Sequence, residues 1–253
     1  TTDAFNVTDV AFIHEDLDWV NNSVAALTYG LGLYGFNVVG AVSFPQDATD
    51  FSGYMTTLSG MNPQLVIPVI SSTGGAYFSA EYGSTTPNFC VIGINVLAQL
   101  GTFPVQTGGG CAYETTIQAV FDTNKTSKTQ AFWNAYITEY GSEPLYTGCG
   151  SYDAVYLYKE AILDAASLNG DALVTAMEGF NLTTPYEGAS GNVAFTSVTA
   201  VGGHDVEVGY GINSALFCQW KSNNTKQVMP GGPLYPASIS TGIWEKPPWV
   251  TFP

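Results

Sequence analysis

Asn6-Val-Thr-Asp-Val-Ala-Phe-Ile-His14, Asn37-Val-Val-Gly-Ala-Val-Ser-Phe44 and Leu65-Val-Ile-Pro-Val-Ile70 are three short runs of apolar and β-branched residues. The chain between them changes period. Leu17, Val20, Val24, Leu27 and Leu31 recur at spacings of three and four, and a second helical pattern fills Thr49–Ser59. Val7–Ile13, Leu17–Leu33, Asn37–Phe44, Thr49–Ser59 and Leu65–Ile70 therefore read as strand, helix, strand, helix, strand. Short apolar runs alternating with 3.6-residue periodicity mark consecutive βαβ units on a parallel sheet. Such sheets bind ligands at the carboxyl ends of their strands. That rule places His14-Glu15-Asp16 and Ser71-Ser72-Thr73-Gly74-Gly75 at the candidate site.

Composition bounds the setting. The 253 residues suffice for one or two domains with a sizeable core. The formal net charge is −15 with only six Lys plus Arg, so nucleic acid and anionic membranes, which need clustered cations, are poor partners. A hydrophobic content of 45% excludes a disordered chain. With 11% of residues charged, the surface is supplied by Tyr, Thr, Ser, Asn and Gly, which suits an extracellular or cell-surface protein. Five sequons support export and glycosylation, at Asn6, Asn21, Asn124, Asn181 and Asn223.

Cys90, Cys111, Cys149 and Cys218 lack the close spacing of zinc or redox sites, so no metal or cofactor is expected. An even number in an exported chain favours disulfides. Cys90–Cys111, flanking the loop through Gly101-Thr-Phe-Pro104, is the favoured pair, with Cys149–Cys218 as the remainder and the other connectivities left open. No window holds the ~18 uninterrupted apolar residues of a membrane span. Thr1-Thr-Asp-Ala-Phe5 is polar, carries no signal peptide, and reads as the interior of a precursor or a processed end.

Gly30-Leu-Gly32-Leu-Tyr-Gly35 matches G-x-G-x-x-G, but it follows a helix and precedes a strand. A dinucleotide fingerprint needs the opposite order, so that its glycines feed a helix N-terminus; here they end a helix. Catalysis lacks its parts as well. There is no G-x-S-x-G elbow and no H-E-x-x-H, and only His14 and His204 offer imidazole. The bland reading of His14-Glu15-Asp16 is a polar loop whose carboxylate caps the next helix.

The most specific stretch is Ala131-Phe-Trp-Asn-Ala-Tyr-Ile-Thr-Glu-Tyr-Gly141, a helix stopped by glycine. Ser142-Glu-Pro-Leu-Tyr146 follows, and then a helix opens through Tyr152-Asp153-Ala154 and runs to about Leu168. This arrangement resembles the type I periplasmic-binding-protein fold, and within it the branched-chain amino-acid and amide-binding subunits of ABC importers. Val10-Ala-Phe-Ile-His-Glu-Asp16 with Trp19, Asp50-Phe51-Ser52 and Gly188-Ala-Ser-Gly191-Asn-Val-Ala-Phe195 resemble further segments of that family in the same order.

The resemblance implies two α/β lobes that close on a small polar solute without chemistry, with an ABC permease as partner. Residues 1–120 resemble the carboxyl-terminal lobe. Residues 121–185 resemble helices of the other lobe, and residues 186–228 strands crossing back; a Pro/Trp-rich tail fills 229–253. The family's N-terminal section has no counterpart, so the other lobe is incomplete. The apolar faces around Phe132, Trp133, Tyr136, Ile137, Val155, Leu157, Ile162 and Leu163 then need a cover. A separate chain carrying the missing half, or another copy, would supply it. Carried over by position, Trp19 would pack on the solute with Asp16 and Asp18 nearby; Ser71, Ser72 and Thr73 would bond its polar head, and Gln106 and Thr107 would add contacts.

The tail holds Trp244, Trp249 and Phe252 among prolines, which forbid a helix. It reads either as an arm packed on its own lobe or as one gripping a neighbour. The rival function is a structural, filament-forming surface protein built on the same fold, and a secreted enzyme is a distant third.

Overall fold

The structure is a computed structural model describing residues 7–252. Its elements run β1 (Asp9–Glu15), α1 (Asp18–Leu33), β2 (Asn37–Phe44), α2 (Ser52–Gly60), β3 (Leu65–Ile70), α3 (Gly74–Thr85), β4 (Cys90–Asn95), α4 (Phe103–Gln106) and β5 (Thr115–Gln118). Then follow α5 (Thr129–Tyr140), α6 (Tyr146–Ala165), α7 (Gly170–Glu178), β6 (Tyr186–Glu187), β7 (Asn192–Val193), β8 (Leu216–Trp220) and β9 (Lys226–Val228). The chain forms two compact units. The first gathers the chain up to Ile117, Phe217–Gln227 and the chain from Ile243; the second holds Gln118–Leu216 and Val228–Gly242.

The first unit carries a seven-stranded sheet in the order β2-β1-β3-β4-β5-β8-β9. β1 pairs in parallel with both β2 and β3, and the parallel pairing continues through β4 to β5. This is the α/β, Rossmann-like lobe expected from the sequence. Period two along β1 explains its burial on both faces. Ala11 and Ile13 join Phe44, Phe51, Met55, Leu58, Phe78 and Tyr82 in one cluster, while Phe12 joins Val20, Val24 and Val69 in another. A strand covered on both sides by crossover helices must be apolar throughout, and Val10–Ile13 are fully buried. Gly93 lets β3 and β4 approach: a Cβ there would stand 2.4 Å from the Pro68 carbonyl oxygen.

The second unit is helical, with β6 and β7 forming a short antiparallel ladder. Gly141 ends α5 at φ +68°, a left-handed conformation that glycine adopts without strain. Phe132, Trp133 and Cys149 pack with Val120 and Ala189, and Leu157 packs with Tyr186 and Val193. Asp153 locks the intervening turn by accepting from Ala189 N at 2.7 Å, Ser190 N at 2.8 Å and Ser190 Oγ at 2.6 Å. The expectation that the α5 and α6 faces lack any cover within the chain is thus corrected in part. Val120, Cys149 and Ala189 help bury Phe132 and Trp133, and Tyr186 and Val193 help bury Leu157, whereas Ile137, Tyr140, Val155 and Leu163 stay exposed.

One further expectation changes, and one left open is settled within the chain. The expected disulfides are absent: Cys90, Cys111, Cys149 and Cys218 are all buried, and no S–S bond joins any two of them. Each sits inside an apolar cluster or strand, and burial pushes the Cys90 and Cys149 thiols to about 12 and Cys111 to about 11, which makes them inert. Trp244, Trp249 and Thr251 of the tail pack within the chain's own first unit. Trp249 meets the rings of Tyr82 and Tyr113 at 5.8 and 5.5 Å, and Trp244 meets Phe217 at 6.0 Å. Thr251 N donates to Asn88 Oδ1 at 2.7 Å.

Candidate functional site

In the first unit the carboxyl ends of β1 and β3 lie side by side, because these strands pair directly. Glu15, the last residue of β1, is fully buried there. Its Oε2 accepts from Ser71 Oγ at 2.6 Å and its Oε1 from Ser72 N at 2.6 Å. Burial pushes this carboxyl up, but the bonds from Ser71 and Ser72 outweigh it and hold the group below its ordinary value. Glu15 is therefore an anionic clasp between the β1–α1 and β3–α3 loops. It does not cap its own helix, since α1 begins after Leu17 with no side-chain cap.

Around the clasp the residues named from sequence fall in two groups. Asp16 is exposed and accepts from Asn21 Nδ2 at 3.2 Å. Asp18 and Trp19 open α1, and Trp19 leaves about half its surface in solvent, at 47%. Ser71 and Ser72 are half-buried on the clasp, Thr73 is exposed, and Ser72 Oγ accepts from Gly74 N at 3.2 Å as α3 begins. These six residues share one edge of the sheet.

Gln106 and Thr107 lie elsewhere. Gln106 is exposed at the end of α4. Thr107 is buried, donates from Oγ1 to the Phe103 carbonyl at 3.0 Å, and lines a hollow with Ala80, Gly83, Ser84 and Trp249 along the later turns of α3. Ser71–Thr73 precede the first turn of that helix.

A buried cluster beneath this edge escaped the sequence reading. Glu114, fully buried ahead of β5, accepts from Ser79 Oγ of α3 and from Asn95 Nδ2 at the end of β4, the latter at 2.8 Å. Asn95 Nδ2 also reaches the Gly75 carbonyl at 3.2 Å, to which Ser79 Oγ can donate at 3.0 Å. Burial pushes the Glu114 carboxyl up to about 7, with the bonds from Ser79 and Asn95 restraining the rise. The one signal in the sequence is a lone carboxylate ahead of a short β-branched run, Thr115-Thr-Ile117. Its partners are 35 and 19 residues away and could not be named without the fold.

In the second unit a groove of about 460 Å³ runs between α5 and α6, lined by Lys128, Phe132, Tyr136, Tyr140, Gly148 and Tyr152. Its rings form a ladder: Tyr140 to Tyr136 at 4.6 Å, Tyr136 to Phe132 at 5.8 Å, Phe132 to Tyr152 at 4.9 Å, and Tyr152 to Tyr156 at 4.7 Å. Of the sequon residues, Asn21, Asn124, Asn181 and Asn223 are exposed; Asn6 lies outside the described residues.

Comparison with known proteins matches residues 2–213 to a family described as periplasmic binding protein. Among solved structures, the leucine-binding protein LivK from Thermotoga maritima superposes with a TM-score of 0.74 at 16% identity, covering 91% of this chain and 61% of that one. A solute-binding protein of an R. palustris ABC transporter, solved with benzoate, gives 0.73 at 14% identity, covering 95% and 62%. The branched-chain amino-acid transporter binding protein LivJ from Streptococcus pneumoniae, solved with isoleucine, gives 0.69 at 15% identity, covering 90% and 61%. At these identities the likeness establishes the fold, and the chain spans about three fifths of the length of these structures. No curated protein sequence matches.

Proposed function

The chain belongs to the periplasmic-binding-protein family, and from that premise we propose that it is the extracytoplasmic solute-binding component of an ABC importer, holding a small polar solute without catalysis. The observation that carries this reading is the joined β1–α1 and β3–α3 loop edge. Glu15 spends its charge on Ser71 and Ser72, which fixes both loops and leaves the neighbouring side chains to face a ligand. Asp16, Asp18, Ser72 and Thr73 supply carboxylate and hydroxyl partners, and Trp19 supplies an apolar ring. Rigid, preorganised loops of this kind reduce the ordering cost of binding a small molecule.

No arginine occurs anywhere in the chain to clamp a carboxylate in two-point fashion. Lysines do not replace it at this edge. In the first unit Lys221 donates to the Ile243 carbonyl, Lys226 to the Gln99 carbonyl and Lys246 to the Phe252 carbonyl. The solute group facing this lobe is therefore an ammonium, amide or hydroxyl. The aromatic ladder between α5 and α6 is the surface on which the remaining two fifths of the fold would seat, as a preceding part of the same polypeptide or a separate one. An ABC permease is the downstream partner, and the exposed sequon asparagines are sites for N-linked sugar.

The test is titration calorimetry on the native protein with the remainder of the fold present, against amino acids, amides, aromatic carboxylates and sugars. Saturable heat is expected for one class, reduced at least tenfold in affinity by Trp19→Ala or Asp16→Ala at unchanged melting temperature. Flat traces for every class overturn the proposal.

A further inference from the structure

The seven-stranded sheet of the first unit has two edges, and they are built differently. β9, at one end, is three residues long, is followed by Pro230, and has its Val228 carbonyl already taken by Thr241 N at 2.9 Å and Gly242 N at 3.1 Å. Short length, proline and a covering segment are usual devices that prevent an edge strand from pairing with another chain. β2, at the other end, has eight residues, Asn-Val-Val-Gly-Ala-Val-Ser-Phe, with neither charge nor proline. A register shift against β1 leaves Val39 as an extra residue, after which Gly40–Phe44 runs in regular pairing. Among the described residues no strand lies on the outer side of β2.

The helix feeding this edge is equally bare. From Trp19 to Gln46 the sequence contains no Asp, Glu, Lys, Arg or His, while Asp18 and Asp47 bound the run. Within it Tyr29, Leu33 and Tyr34 expose 72, 68 and 82% of their surface. Elsewhere the chain carries a net charge of −15, which opposes contact between copies wherever carboxylates face each other. We propose that the α1–β2 edge is a self-association surface, whose partner is the same edge of a second copy of this chain.

Charge selects that occupant. An anionic surface meets an identical surface at least cost where it has no carboxylates, and this stretch is such a place. A basic partner would be drawn to the acidic remainder of the molecule instead. Antiparallel pairing of Gly40–Phe44 with its symmetry mate would satisfy the outward N–H and C=O groups of both strands. It would also bring the exposed α1 side chains beside those of the mate, in the isologous manner of a twofold dimer. The inference stands apart from the solute reading, because it concerns neither the Glu15 loops nor the solute.

Sedimentation velocity of the native protein across micromolar concentrations tests it. The expected result is a reversible species of twice the chain's mass, tightening as sodium chloride is raised and the repulsion between copies is screened. Ala41→Lys on the exposed face of β2, and separately Leu33→Glu on α1, should each weaken dimerisation by about 100-fold with an unchanged melting temperature. Val155→Glu on α6, in the other unit, should leave it intact. A monomer throughout the range overturns the proposal. So does a dimer that survives both edge variants, or one abolished by Val155→Glu.

Discussion

Glu114 should make this protein lose stability as the pH rises through neutrality. In the folded chain its carboxyl titrates near 7 against an ordinary 4.5, so between those values the folded state holds a proton that the unfolded state has released. Stability from this group is fully present below pH 4.5 and is lost progressively until pH exceeds about 7. The displacement corresponds to about 3 kcal/mol at 1.36 kcal/mol per pH unit, a substantial part of the ~5–15 kcal/mol typical of a domain.

The cluster can host either protonation state without moving. Ionised, Glu114 accepts from both Ser79 and Asn95; protonated, it donates to Ser79 Oγ, which turns its own proton to the Gly75 carbonyl at 3.0 Å. Glu15 acts in a different window. Its folded value is lowered, so its contribution is present above pH 4.5 and disappears only as the pH falls through that lower value. Glu114→Gln keeps a donor toward Ser79 and an acceptor for Asn95 but cannot ionise. Urea unfolding between pH 4.5 and 8, followed by fluorescence and circular dichroism with coincident transitions, should show the parent losing about 3 kcal/mol while the variant stays level. Equal slopes in the two proteins would refute the assignment.

Other outcomes follow from the same geometry. Glu15→Ala leaves Ser72 N–H and Ser71 Oγ without their buried acceptor and should cost about 2–4 kcal/mol in urea unfolding, with faster hydrogen exchange at Ser72. Lys221, 5% exposed, donates to Gln219 Oε1 at 2.8 Å and to the Ile243 carbonyl at 2.6 Å. Lys221→Met should destabilise by about 1–3 kcal/mol and make the chain after Ile243 the first site of limited proteolysis. All four cysteines should resist alkylation in the native protein and all four should react after unfolding without reductant; fewer adducts, read by intact mass, would reveal a disulfide.

The local alternation was legible because it is written in spacing. Asn37–Phe44 and Leu65–Ile70 are strands with the expected bounds, and α1 ends at Leu33 where the helical pattern does. Gly141 was readable for the same reason, since only a left-handed residue stops α5 there. Gly35 turns the chain at φ +82° just beyond α1, as expected, whereas Gly30 and Gly32 lie inside the helix rather than after it.

Contacts between distant residues were not legible. Glu15 looked like the cap of the helix that follows it, yet it binds residues 56 and 57 positions away because β1 and β3 became neighbours. The cysteines looked like disulfide partners by number and setting, but whether two thiols meet depends on where their strands and helices pack, and Cys111 and Cys149 were buried in separate apolar clusters. The tail's tryptophans could have gripped any aromatic surface, and it was the position of Tyr82 and Tyr113 in the folded unit that captured Trp249. Period and turn chemistry act within about ten residues, so sequence determined the elements. Strand order, the buried carboxylate clusters and the bare β2 edge depend on which elements become neighbours, and only the tertiary structure decided that.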